Sequence, residues 1–230
     1  MKSNHSIVAI ITARGGSKGL PRKNVLDLNG IPLIVHTIDA AKKSNLFSKI
    51  IVTTDDEEIK DVSLKHGADV IDRPQELATD TASSLDVITH TLDELIKQNY
   101  LIKHFVLLQP TSPLRNAQHI KDAMAVYQQK QAHSLVSVVE VDHSPFKMLI
   151  LKENKIEPLT NWRDLTKPRQ QLPKAYLPNG AIYICNIDEF LKTKNLFKQP
   201  LEIFEMDIIS SIDIDTKEDM KKVSNLLKRI

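Results

Sequence analysis

Apolar residues recur along the chain in short blocks, and the blocks alternate between two spacings. Residues 7–12, Ile-Val-Ala-Ile-Ile-Thr, form a partly β-branched run that predicts a buried strand. Pro32 then opens a segment in which Ile34, Ile38 and Ala41 recur at helical spacing, with Lys42 and Lys43 near its end, where the helix dipole favours cations. Residues 49–54 predict a second strand, the acidic run Asp55-Asp-Glu-Glu58 starts a helix that ends near Gly67, and residues 69–72 predict a third strand. A polar loop at 79–84 caps the next helix, whose apolar stripe is Ile88, Leu92, Leu95 and Ile96. Residues 105–108 are a fully apolar strand, and Asn116 caps a helix carrying Ile120, Met124 and Tyr127 on one face. Strands follow at 135–139, 181–185 and, at an edge, 201–206, and Met220, Val223 and Leu227 mark the buried face of a last helix.

This strand–helix alternation predicts an α/β fold with a mostly parallel sheet, in one domain spanning residues 1–230. The rhythm breaks at residues 142–178, where five of the chain's prolines fall and no helical period persists. That stretch reads as an inserted lobe or hairpin on the main sheet.

Composition narrows the picture only a little. A formal net charge of +2 over 230 residues gives no general affinity for nucleic acid. No run approaches a membrane span, and the first residues lack the long apolar stretch of a signal peptide. Cys185 is the sole cysteine, so no intrachain disulfide forms, and the chain is read as cytoplasmic.

Chemistry concentrates after the first strand. Gly15, Gly16 and Gly19 are half of the chain's six glycines, and Arg14, Lys18, Arg22 and Lys23 are threaded among them. Backbone amides brought close by glycine, with cations beside them, suit a polyphosphate. The loop is not a Walker A loop, because Leu20-Pro21 follows Gly19 where Lys-Ser/Thr is needed. Nor is it a dinucleotide fingerprint, because its glycines read Gly-Gly-x-x-Gly and residues 21–30 intervene before a helix. A cationic phosphate loop at the C-terminal end of a strand remains. At the other end of the chain, Asp213 and Asp215 alternate with Ile212 and Ile214, which on a strand puts both carboxylates on one face. Asp215 can instead cap the last helix with Glu218 as its partner, and Ser83 or Ser84 can cap the helix near Leu85.

Six blocks in order resemble the acylneuraminate cytidylyltransferases, the CMP-sialic acid synthetase family. They are Arg14-Gly-Gly-Ser-Lys-Gly-Leu-Pro-Arg-Lys-Asn24, the Arg73 to Ser84 loop, Leu107-Leu-Gln-Pro-Thr-Ser-Pro-Leu-Arg115, residues 168–173, residues 178–183 and Ser211-Ile-Asp-Ile-Asp215. The resemblance implies a three-layer nucleotidyltransferase-like fold, with the lobe at 142–178 used for dimerisation. It implies that CTP and a nonulosonic acid give the CMP-sugar and pyrophosphate, with Mg2+ as cofactor. Arg14, Lys18, Lys23 and Asp213 match the family's catalytic positions, and Arg14, Lys18, Lys23, Asn24, Arg73, Ala82 and Ser84 its nucleotide contacts. Gln109, Lys147, Arg169, Asn179, Tyr183 and Phe197 match its sugar contacts, and Asp213 and Asp215 its metal-associated aspartates. A homodimer whose sugar sites are completed by the neighbouring subunit follows from the same resemblance. For Tyr183 and Phe197 the alternative is core or interface packing.

Two positions depart from the family pattern. Leu177 stands where many members carry Arg, and Leu196-Phe197 where many carry two phenylalanines. Both fall in the sugar half, which makes a 5,7-diacetamido acid such as legionaminic acid an alternative acceptor. A CMP-Kdo synthetase and a non-catalytic nucleotide-binding protein rank below.

Overall fold

The computed structural model describes residues 6–17 and 19–228; Lys18, one of the expected phosphate ligands, lies outside the described residues. The first apolar run is β1 (Ser6–Thr12). After the glycine loop, β2 (Asp27–Leu28) and β3 (Ile31–Pro32) form a small antiparallel hairpin. Its turn places Asn29 and Gly30 at φ 58° and 90°, the left-handed conformation that an Asn-Gly pair accepts. Pro32 sits ahead of α1 (Leu33–Ser44) as its cap rather than in its first turn.

Next come β4 (Lys49–Thr54), α2 (Glu57–Lys65) and β5 (Asp69–Asp72), with the Asp56 side chain accepting from the Ile59 amide to cap α2. Then follow α3 (Ser84–Lys97), β6 (Ile102–Leu107), α4 (Ala117–Gln129) and β7 (Ser134–Glu140). The α3 stripe is Val87, Ile88, Thr91, Leu92 and Leu95, whereas Ile96 faces outward. Residues 142–178 hold one-turn helices and the hairpin β8 (Leu149–Lys152) with β9 (Lys155–Pro158), whose apolar side chains are largely exposed. The chain rejoins the main sheet as β10 (Tyr176–Asn186), followed by α5 (Ile187–Thr193), β11 (Leu201–Glu205) and α6 (Lys217–Leu227).

The main sheet has seven strands in the order β11-β7-β10-β6-β1-β4-β5. Only β10 runs against the others, pairing antiparallel with β6 and with β7. β1 is flanked by β4 on one side and β6 on the other, so the strand order reverses beside it. Open α/β sheets bind ligands in the crevice at the C-terminal ends of strands next to such a reversal.

Alternation along β1 builds two cores. Ala9 and Ile11 face α1, α2 and α4 through Ile34, Ile38, Ile59 and Met124, while Val8 and Ile10 face α3 and α5 through Ile88, Leu92 and Phe190. The result is helix, sheet and helix in three layers, the nucleotidyltransferase-like arrangement. A third, smaller cluster joins Leu20, Leu28, Leu33, Leu114, Ile214 and Val223. It packs the glycine loop, the loop after β6 and the segment before α6 together at the crevice. Each fully buried leucine or isoleucine there contributes about 1.5–3 kcal/mol, enough to hold three otherwise irregular segments in register.

Candidate active site

Two cavities of about 290 and 300 Å³ open at the C-terminal ends of β1, β5 and β6, and Thr12 and Arg14 line both. The first is walled by Arg73, Leu77, Thr79, Asp80, Ala82, Ser84 and Val87. The second is walled by Gly16, Ser17, Lys23, Asn24, Gln109, Pro110, Thr111, Asp213 and Asp215.

The glycine loop forms the divide. Arg14 reaches across it, donating from Nη1 to the Thr79 carbonyl at 3.0 Å and pairing through Nη2 with Asp80 at 2.8 Å. Asn24 is buried, and its side-chain amide donates to the Arg14 carbonyl at 3.0 Å, closing the loop on itself. Lys23 donates from Nζ to the Ile214 carbonyl and to Asp215 Oδ1, both at 3.0 Å. Arg22 faces elsewhere. It lies in the left-handed region at φ 58° and grips Asp56 and Glu58 at the start of α2. Of the loop's described cations, Arg14 and Lys23 therefore serve the cavities, and Arg22 anchors the loop.

In the first cavity Arg73 is buried, donates from Nη2 to the Thr53 carbonyl at 2.7 Å and has no partner for Nε among the described residues. Burial pulls its guanidinium down to about 10, and Arg14 adds to the effect against the attraction of Asp55. Ser83 is the cap of α3, accepting from the Leu85 amide at 3.1 Å. Ser84 is thus relieved of capping and lines the cavity beside Ala82.

In the second cavity the two aspartates meet Lys23. Residues 212–215 form no regular element and pair with no strand, contrary to the strand expected there; the Ile214 amide instead donates to the Thr111 carbonyl at 2.9 Å. The cap of α6 is Thr216, in a capping box with Asp219, so neither Asp215 nor Glu218 has the capping role open to it in the sequence. Asp213 is partly buried, and burial together with the charge of Asp215 holds its carboxyl above the ordinary range, against opposing pulls from Thr111 and Lys23. Among the described residues its buried Oδ1 has no hydrogen-bond partner. A carboxylate left in that condition, next to a second one that already attracts an ammonium, suits a hard cation with oxygen ligands. Among the described residues no group of three or more His, Cys, Asp or Glu comes together as a metal cage.

The expected sugar contacts divide. Gln109 lines the second cavity. Tyr183 lies close by, its phenol raised by burial and by the Asp213 carboxylate, and its ring meets Phe197 edge-on at 6.2 Å. Asn179 is buried and engaged internally: it accepts from Ser137 Oγ at 2.6 Å and the Ala181 amide at 3.2 Å, and donates to Ser211 Oγ at 2.9 Å. Lys147 and Arg169 line neither cavity. Lys147 ends a one-turn helix, and Arg169 borders a separate pocket of about 60 Å³ with Glu140, Ser144 and Lys174. Thr12, Asp80 and Thr111 were not singled out in the sequence. Thr12 and Thr111 have the signal of lying at or just beyond strand ends, and Asp80 that of sitting in the polar 79–84 loop.

A family model described as cytidylyltransferase matches residues 8–229. The chain belongs to the cytidylyltransferase family. It is 41% identical over 214 residues to the N-acylneuraminate cytidylyltransferase of Streptococcus agalactiae serotype V, covering 92% of this chain and 51% of that one. The chain thus spans about half the length of the curated relatives it matches at that level. It is 34% identical over 226 residues to the CMP-N,N'-diacetyllegionaminic acid synthase of Legionella pneumophila, covering 96% of each. These likenesses set it in the CMP-sialic acid synthetase group of the cytidylyltransferases. A CMP:2-keto-3-deoxy-manno-octonic acid synthetase complexed with CTP shares the fold, with a TM-score of 0.73 at 17% identity over 97% of this chain and 99% of that one.

Proposed function

We propose that the chain transfers the cytidylyl group of CTP to the anomeric hydroxyl of a nonulosonic acid and releases pyrophosphate. The observation that carries this reading is the joint between the two cavities. Arg14 stands at the boundary, Lys23 stands beyond it, and two carboxylates face Lys23. Base and ribose fit the cavity of Arg73, Ala82 and Ser84, and the triphosphate runs past Arg14 and Lys23. The acceptor enters beside Gln109, Tyr183 and Phe197. In-line phosphoryl transfer needs positioning and charge neutralisation more than covalent help. Arg14 and Lys23 neutralise the phosphates, and the Asn24 bond to the Arg14 carbonyl keeps the loop in shape for that. Asp213 and Asp215 would hold Mg2+, which when bound supplies charge stabilisation at the phosphates and acidifies an attacking hydroxyl.

The acceptor is a 5,7-diacetamido acid of the legionaminic type in preference to N-acetylneuraminic acid. Leu177 puts an exposed leucine where many family members place a cation. Leu196 is buried against the core that includes Cys185 and Phe190, so the acceptor-facing change rests on Leu177 with Phe197. A 5,7-diacetamido acid presents an acetamido group where the neuraminic acid has a hydroxyl, and an apolar wall accepts the less polar group. The exposed Leu149, Leu151, Ile156 and Trp162 around the β8–β9 hairpin support a homodimer built on that lobe, which would bring the partner's residues to the acceptor end of the site. No helix among the described residues is long and apolar enough to cross a membrane, and the free, buried Cys185 accords with a cytoplasmic enzyme.

Pyrophosphate release tests the reading. CTP is expected to outperform ATP, GTP and UTP, to require magnesium and to require a nonulosonic acid. Absence of release with every such acid refutes it, and a clear preference for N-acetylneuraminic acid refutes the acceptor assignment. Light scattering on a sizing column is expected to give a two-chain mass; a monomer refutes the dimer.

A further inference from the structure

The largest side chain wholly enclosed among the described residues is charged. Arg115, at the end of the loop after β6, is 1% exposed. Its Nη2 donates to Thr37 Oγ1 at 2.7 Å and to the Gln109 carbonyl at 3.3 Å. Its Nε and Nη1 are buried with no hydrogen-bond partner among the described residues. No ion pair to Arg115 forms among the described residues, and burial alone pulls its guanidinium down to about 9. Thr37, at 0% exposure in α1, adds a bond of 3.4 Å from its hydroxyl to the same Gln109 carbonyl.

A guanidinium in such a place is poor for stability. Its charge is stripped of water without a counter-charge, and an apolar side chain of similar volume commonly serves the fold as well or better. The group must return something else. What it touches is the point where the chain leaves β6 and turns into the cavity. Gln109 is held there from both sides. Its main-chain oxygen is fixed by Arg115 and Thr37. Its side-chain Oε1 is packed so closely on Gly180 that a methyl group there would come within 2.5 Å of it. Between these supports, Gln109 forms part of the cavity wall with Lys23, Asp213 and Asp215.

We infer that Arg115 is a positioning residue for the acceptor half of the reaction: touching no substrate, it locks the Gln109 turn so that the Gln109 amide keeps its place on the cavity wall. The inference rests on the proposal that Gln109 contacts the acceptor. Neither cavity includes Arg115 in its lining, which separates its role from that of Arg14 and Lys23.

The test compares Arg115→Met and Arg115→Lys with the parent enzyme in thermal melting, in kinetics with CTP and acceptor varied separately, and in crystal structures. Arg115→Met is expected to melt at or above the parent temperature, because an unpaired buried charge has gone. Its KM for CTP is expected to stay within about twofold while the acceptor KM rises about tenfold or more. Arg115→Lys keeps a donor for the Gln109 carbonyl and recovers part of that loss. The Arg115→Met crystal structure is expected to show Gln109 displaced from Gly180. A parent-like acceptor KM with Gln109 unmoved overturns the inference. So does a fall in melting temperature with both KM values rising together, which marks a purely structural residue. If the parent enzyme turns over no nonulosonic acid, the functional reading fails, while the position of Gln109 still decides the role of Arg115.

Discussion

The Lys23 ammonium lies 3.0 Å from Oδ1 of Asp215, joining the first loop of the chain to the segment that precedes its last helix. Lys23 is mostly enclosed, whereas Asp215 is open to solvent. The pair adds little to stability, since exposure of one partner leaves it screened. Its value is in placing a cation and a carboxylate on one cavity. Lys23→Met is expected to lower kcat/KM for CTP by roughly 100-fold, the scale of losing one preorganised charge at a phosphate, with little change in melting temperature. Pyrophosphate release against CTP concentration checks it.

Asp213→Asn separates function from folding in the same cavity. The carboxylate is held above its ordinary range by burial, so its ionised form is a cost to the folded state near neutral pH. Removing the charge is expected to leave the melting temperature level or higher, while turnover falls by about 100-fold or more. Scanning fluorimetry and a magnesium titration of activity decide this. Undiminished turnover takes Asp213 out of the site.

The start of α6 offers a paired test. Thr216→Ala removes the capping hydroxyl and one side of the box with Asp219, and is expected to destabilise by about 1 kcal/mol in urea unfolding. Asp215→Ala is expected to leave the urea midpoint near that of the parent while lowering activity. The reverse pattern would return the capping role to Asp215.

Close approach at Gly19 gives a graded substitution series. A methyl group at Gly19 would come within 2.9 Å of the Asp215 carbonyl, a backbone atom, whereas at Gly16 nothing among the described residues lies within 4 Å. Gly19→Ala must push the loop away from Asp215 and is expected to cost roughly 10- to 100-fold in kcat/KM. Gly16→Ala is expected to retain activity within about twofold, and a larger loss would show that the phosphates occupy that space. Kinetics on the two variants settle it.

Cys185 provides a probe of pH dependence. Burial pushes its thiol from 9.0 up to about 12. A raised value means that the folded state favours the protonated thiol. The associated stability is whole below 9.0 and declines as pH climbs from 9.0 toward 12. At pH 8 the native thiol is expected to react with a disulfide reagent far more slowly than the thiol in urea. Equal rates would show that the site is open.

The sequence made the strand–helix rhythm and the phosphate loop legible because both are local patterns: apolar runs, and glycines interleaved with cations. It was silent wherever a partner lies far off along the chain. Asp215-Thr216 presents two capping residues in succession, each with an acidic residue three positions on, and only the backbone shows that Thr216 is used. Arg22 reads like the other loop cations until α2 supplies Asp56 and Glu58. Asn179 sits in a polar motif, yet Ser137, Ala181 and Ser211 occupy it from three directions. The antiparallel course of β10 was equally hidden, because an apolar run carries no sign of its direction.

The cluster of Leu20, Leu114, Ile214 and Val223 sets a condition on when this protein becomes competent. During synthesis the glycine loop and the loop after β6 emerge well before Ile214 and Val223, the residues that brace them. A nascent chain stopped before Ile212 has all seven strands of its main sheet but lacks Asp213 and Asp215 on the cavity wall and the bracing by Ile214 and Val223. Nucleotide capture therefore reports that translation has passed α6, and a ribosome-stalled series would show it as a step rather than a slope.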